Sequence, residues 1–184
     1  MHGSEKGLVR KLKLGDADAL DEFVRSYGPR IYNVHCWLCC DPVAAEDLTQ
    51  ETVLAMLEGI IKFRGESRLY TWVYQIARNI ALRYLKQRAR EGISLDDVRD
   101  VESPEHIDEL AWGAVLRKHV RDALSLLPVS QREAVVLHCL QGLTQAEVAA
   151  TLQRPLGTVK WQIAQGLHAL RDALLQIGVD PNEL

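Results

Sequence analysis

The 184-residue chain has no long apolar run, no strand-length alternation of apolar and polar residues, and no internal repeat. The first absence excludes a membrane-spanning helix, which needs about 20 consecutive apolar residues. The second argues against a sheet, and the third against a solenoid. Met1 to Lys13 also lacks the apolar centre of a secretory signal, so a cytoplasmic location is expected. There Cys36, Cys39, Cys40 and Cys139 are expected to be reduced thiols. No nucleophile–base pair, phosphate loop or metal-ligand motif is visible, which argues against an enzyme, a cofactor and a bound metal.

What is present is charge in blocks. The net charge is −3, yet Lys62 to Arg90 carries eight basic residues (Lys62, Arg64, Arg68, Arg78, Arg83, Lys86, Arg88, Arg90) against Glu66 alone. From Ile93 to Leu110 the sign reverses, with Asp96, Asp97, Asp100, Glu102, Glu105, Asp108 and Glu109 against Arg99. Opposite blocks mark separate binding tasks better than the total does. An apolar fraction of 47% is enough for one core or two small ones without disulfides.

Apolar residues recur at helical spacing, so the expected fold is all-α: two small helical domains on a flexible acidic linker. The expected boundaries are 1–91, a linker at 92–108, and 109–184. In the first block Asp16 is a candidate N-cap, Gly28-Pro29 is expected to interrupt a helix, and Asp41-Pro42 to end it. Helices are then expected over about 43–61 and 69–90. In the second block the expected helices are about 109–126, 130–141, 144–153 and 156–175. Ser130-x-x-Glu133 and Thr144-x-x-Glu147 have the spacing of capping boxes, and Gly142 suits a left-handed helix end.

Three faces follow from these helices. Ala45, Leu48, Thr52 and Ala55 would pack inward, leaving Asp47, Gln50, Glu51 and Leu54 together on another face. A leucine among acids and an amide suits a protein partner, since burial and register are then supplied side by side. On the next helix Val73, Ile76, Ile80 and Tyr84 would pack inward, while Gln75, Arg78, Asn79, Leu82, Arg83 and Lys86 share another face. Its cations can neutralise phosphates and Asn79 can pair with a base edge. Phe63, Tyr70, Trp72 and Tyr74 lie at the same end, the chemistry of single-strand capture, although Trp72 or Tyr74 must also serve the core.

The third face belongs to a helix-turn-helix. Leu143 to Ala149 leads through Arg154-Pro155-Leu156-Gly157 into a last helix whose Val159, Ile163, Gly166 or Leu167, and Leu170 point inward. Thr158, Trp161, Gln162 and Gln165 are expected outside, facing a major groove. Two other functions suit parts of this pattern. One is a stand-alone helix-turn-helix regulator, which would not need the face from Asp47 to Leu54. The other is a metal or redox sensor using Cys36, Cys39 and Cys40, which fall within about one helical turn.

Gly15-Asp16 with Phe23 and Tyr27, Pro29-Arg30-Ile31-Tyr32, Ala45 to Glu51, Phe63 to Ser67, Thr71-Trp72, Ile76 to Asn79, Leu127-Pro128 and Gly157 to Lys160 occur in an order and spacing that resembles the extracytoplasmic-function sigma factors, group IV of the sigma-70 family. The resemblance covers nearly the whole chain. It implies that Asp47, Gln50, Glu51 and Leu54 dock on the beta-prime clamp helices of core RNA polymerase. It implies that the loop from Phe63 to Leu69 (Arg64 and Ser67 included), with Tyr70, Trp72, Arg78, Asn79 and Arg83, recognises and melts the minus-ten promoter element. Thr158, Lys160, Trp161, Gln162 and Gln165 would read the minus-thirty-five element. The acidic linker would thread through polymerase, with contacts to the beta subunit, and an anti-sigma factor would hold the free protein inactive. Trp161 stands where the family commonly has serine; Gln162 and Gln165 replace arginines, and Leu167 another basic residue. Fewer cations imply a shallower salt dependence of binding there.

Overall fold

The computed structural model describes residues 3–91 and 110–176, with side chains from residue 5 in the first stretch and from 115 in the second. Every regular element among them is helical: α1 (Gly3–Lys13), α2 (Ala17–Cys39), α3 (Pro42–Gly59), α4 (Leu69–Glu91), α5 (Leu110–Ser125), α6 (Val129–Val135), α7 (Gln145–Leu152) and α8 (Leu156–Gln176). The fold is all-α, as the periodicity implies. The chain divides into two compact units, Met1–Ser94 and Leu95–Leu184. The acidic segment 92–108 lies outside the described residues.

In the first unit, α2, α3 and α4 pack on one another and α1 lies against α2. Asp16 caps α2 by accepting from the Ala19 amide at 3.0 Å. Asp41 caps α3 in the same way through Ala44, also at 3.0 Å, with Pro42 where a missing N–H costs nothing. Gly28-Pro29 does not break the helix as expected: α2 runs through Pro29 without a stop. Proline removes one donor, leaving the Arg25 carbonyl without its helical bond, but Arg25 and Pro29 are both exposed to water. Phe23, Ile31 and Val34, all buried, hold the helix on either side of that defect.

Two buried polar clusters lock this core. Asp41 Oδ2 accepts from the Tyr84 hydroxyl at 2.7 Å and from Arg88 Nη1 at 2.9 Å, tying the start of α3 to the end of α4. Burial first, then the hydrogen bond to Asp41, pushes the Tyr84 hydroxyl up to about 12, so it remains a donor at neutral pH. His35, fully buried, sits 2.8 Å from Thr52 Oγ1. The Thr52 hydroxyl gives its own proton to the Leu48 carbonyl, so His35 Nε2 must be the donor to Thr52. Burial lowers the His35 pKa to about 4 and keeps the ring neutral. The predicted inward stripes are close to those observed, with Ala55, Ile76 and Tyr84 only half-buried and Met56, Tyr74 and Ala77 taking up the space.

In the second unit α8 packs on α5, α6 and α7. Gly166 permits the closest approach: a Cβ there would stand 2.6 Å from Val135 Cγ2. The capping box at Thr144 and Glu147 is present in both directions, but the one expected at Ser130 and Glu133 is not. Here α6 begins one residue earlier, at Val129 with Pro128 as the flanking residue and no side-chain cap. Glu133 is then too deep to reach back and is taken by Arg154 instead. After α6 the chain widens into a π-helical turn, Val136–Leu140, and Gly142 at φ 69° ends it.

Candidate functional site

On α3 the four residues Asp47, Gln50, Glu51 and Leu54 all reach the surface. Asp47, Gln50 and Leu54 are exposed, Leu54 to 61%, and Glu51 is half-exposed. Ile61, one turn beyond the helix and two turns from Leu54, is 71% exposed and extends the apolar part. It was not among the residues picked from the sequence, where its spacing of seven from Leu54 is the available signal. This face has the composition of a protein-docking surface, an apolar centre edged by acids and amides.

The basic face of α4 lies next to it. Asn79 and Arg83 are exposed and Arg78 is half-buried. Arg83 is ion-paired to Glu51, so residues assigned to two different tasks touch in the free protein. In the connecting loop Arg64, Glu66, Ser67 and Arg68 are exposed, with Arg64 and Glu66 4.0 Å apart.

The aromatic residues correct the sequence reading in one respect. Phe63 is 5% exposed and packs on Trp72 with ring centres 5.0 Å apart, so its ring supports the loop from below. Trp72 is half-buried and also covers Gly59, where a Cβ would lie 3.1 Å from its Cζ2. Tyr74 is buried. Tyr70 is half-buried, 6.5 Å from Tyr27 with the Arg30 guanidinium 3.8 Å from its ring centre, and Tyr27 in turn stacks on Phe23 at 4.9 Å. Of Phe63, Tyr70, Trp72 and Tyr74, the two with ring area left to solvent and able to offer a stacking platform are Tyr70 and Trp72.

In the second unit α7 and α8 form the helix-turn-helix, and Gln153 at φ 53° makes the sharp exit from α7. Arg154 holds the turn down: Nη2 donates to Glu133 Oε2 at 2.6 Å, and Nη1 to the Ser130 carbonyl and to Gln162 Oε1, both at 3.2 Å. Gln162 is therefore not on the outer face as expected. It is 7% exposed, and its amide oxygen is committed to Arg154. Thr158, Lys160, Trp161 and Gln165 are exposed, Trp161 to 58%, and Thr158, Trp161 and Gln165 share one face at spacings of three and four. The three clustered cysteines are buried, and among the described residues no group of three or more His, Cys, Asp or Glu side chains could hold a metal ion. No helix among them is long and apolar enough to cross a membrane.

Known proteins carry both units. The family model of Sigma-70 region 2 matches residues 23–91, and that of Sigma-70, region 4 matches 117–170. The chain is 30% identical to RNA polymerase sigma-H factor of Pseudomonas aeruginosa, over 92% of this chain and 93% of that protein. It is 31% identical to the ECF RNA polymerase sigma-E factor of Haemophilus influenzae, over 93% and 95% of the two. Among solved structures it is similar to the sigma factor RpoE in complex with the anti-sigma factor NepR from Bartonella quintana. That match has a TM-score of 0.68 and 25% identity, over 84% of this chain and 95% of that one. An exposed acidic face around Leu54, a neighbouring basic face and a separate helix-turn-helix thus occur on a chain that matches the two relatives over more than nine-tenths of its length: it belongs to the extracytoplasmic-function group of the sigma-70 family and is an RNA polymerase sigma factor.

Proposed function

We propose that the two units divide promoter recognition between them. The first unit docks core RNA polymerase, at the beta-prime clamp helices, through Asp47, Gln50, Glu51 and Leu54 of α3. It recognises and melts the minus-ten element through Arg64, Ser67, Tyr70, Trp72, Arg78, Asn79 and Arg83, with Phe63 bracing the loop. The second unit reads the minus-thirty-five element through Thr158, Lys160, Trp161 and Gln165, while Gln162 positions the turn. The linker 92–108 joins these tasks along the beta subunit. The chain works where polymerase works, in the cytoplasm, and an anti-sigma factor restrains it, as the complex of RpoE with NepR illustrates for a relative.

The observation that supports this most is the adjacency of two unlike faces on the first unit. A stand-alone regulator has no use for an acidic, leucine-centred face beside its DNA-binding groove. Melting needs both faces at once, because strand separation is offset only by contacts made to the released bases while polymerase holds the protein in place. Run-off transcription with purified core polymerase on a promoter library is the test. The expected outcome is a discrete set of start sites absent with core alone; a library transcribed identically with and without this chain would overturn the proposal.

A further inference from the structure

The loop from Phe63 to Leu69 is held at both ends by α1, a helix 50 residues or more away in the chain. Lys13, in the last turn of α1, donates from Nζ to the Phe63 carbonyl at 2.7 Å. Glu5, in its first turn, accepts the Leu69 amide on Oε1 at 2.5 Å. The partners are 50 and 64 residues apart in the chain and part-buried. Between them on α1, the buried Leu8, Val9 and Leu12 fix the helix against the core. Eight residues of helix set Glu5 and Lys13 roughly 12 Å apart along the axis, so they reach two different points of the loop.

The chemistry at each end is specific. Arg68 occupies the N-cap position of α4, its carbonyl accepting from Trp72, and arginine has no side-chain acceptor to satisfy the free amides of a helix start. A carboxylate from α1 supplies what the local sequence lacks, with the favourable sign for a helix N-terminus. At the other end the Phe63 N–H closes the short 3-10 turn Ile60–Lys62 after α3 by donating to the Ile60 carbonyl, and the Phe63 carbonyl just beyond that helical end accepts from the Lys13 ammonium, where a cation is favoured. Glu5 also lies close enough to Tyr27 to raise its pKa, after burial, which places the carboxylate beside the Tyr27–Tyr70 stack.

We infer that α1 is a positioning element for DNA melting: Glu5 and Lys13 set the conformation of the loop that carries Arg64 and Ser67 and the entry of α4 that carries Tyr70 and Trp72. This inference rests on the proposed role of that loop in the minus-ten element. Neither residue touches DNA; each acts through the loop. The region 2 match begins at residue 23, beyond α1, so the bracing is additional to the matched segment.

The experiment compares the full-length chain with Glu5→Ala, Lys13→Met and Glu5→Gln, the last retaining an acceptor oxygen. Amide exchange over residues 63–72 of the free protein should rise about tenfold in Glu5→Ala and Lys13→Met, as loss of a helix cap leads one to expect, and recover in Glu5→Gln. Core polymerase affinity should not change, while permanganate reactivity of the promoter in the holoenzyme should develop several-fold more slowly. Unchanged exchange, or an unchanged melting rate despite a loosened loop, would overturn the inference. A wild-type holoenzyme that melts no promoter would instead sink the reading of the loop itself, and the exchange comparison would still decide whether α1 anchors it. If Glu5→Ala fails to fold, Lys13→Met and Glu5→Gln keep the test intact.

Discussion

The two units stabilise their working surfaces over different distances along the chain. In the first, the ties that matter join α2 to α3 across 17 residues, α3 to α4 across 43 and 47, and α1 to the loop across 50 and 64. In the second, Arg154 spans 8, 21 and 24 residues, and the capping box spans 3. The loop of the first unit proposed to face DNA is therefore a product of its whole fold, whereas the proposed recognition helix of the second is set by its immediate neighbours. A surface with the two tasks proposed for it needs the first arrangement, since a docking face and a melting loop must then move as one body. A surface that reads one groove can rely on the second.

The largest expected effect tests the local arrangement. Arg154→Met leaves Glu133, 1% exposed at its side chain, with its main ionic partner gone and should cost about 3 kcal/mol in the second unit. Protection of the α7 and α8 amides from exchange reads it; a loss confined to the first unit's amides would contradict the comparison. A smaller effect, of opposite location, comes from acid. The His35 pKa falls from 6.5 unfolded to about 4 folded, so its contribution is fully present above pH 6.5 and is lost progressively as pH drops toward 4. Between pH 7 and 5 the first unit should lose about 2 kcal/mol by this route, and His35→Leu should remove that pH dependence. Among the described residues of the second unit no histidine is buried. Urea unfolding followed at Trp37 and Trp72, with Trp112 and Trp161 replaced by Phe, separates the two units.

The same contrast in range governs what was legible in the sequence. Helix periodicity, the caps at Asp16 and Thr144 and the turn at Gly142 are local, and each is found as read. The misreadings have a common cause, a tertiary partner that outbid a local signal. Glu133 has the right spacing for a capping box but a better partner in Arg154. Gln162 has the right phase for an outer face but is drawn inward by the same guanidinium. Phe63 reads as a base-stacking ring and is instead covered by Trp72, and Pro29 reads as a helix stop where burial on both sides carries the helix through. The role of α1 left no trace, because no spacing rule links residues 5 and 13 to 69 and 63.

In the proposed division of labour the α3 face and the α4 face are adjacent but separate instruments. Measuring core polymerase affinity and promoter permanganate reactivity side by side for Asp47→Ala/Gln50→Ala and for Asn79→Ala tests it most directly. These residues are exposed, so each substitution should change stability by less than about 0.5 kcal/mol. The first variant should lose polymerase affinity at least tenfold, roughly 1.4 kcal/mol, while Asn79→Ala should bind polymerase normally and fail to open the promoter. Polymerase affinity that falls equally in both variants, or promoter opening that survives Asn79→Ala, would contradict that division.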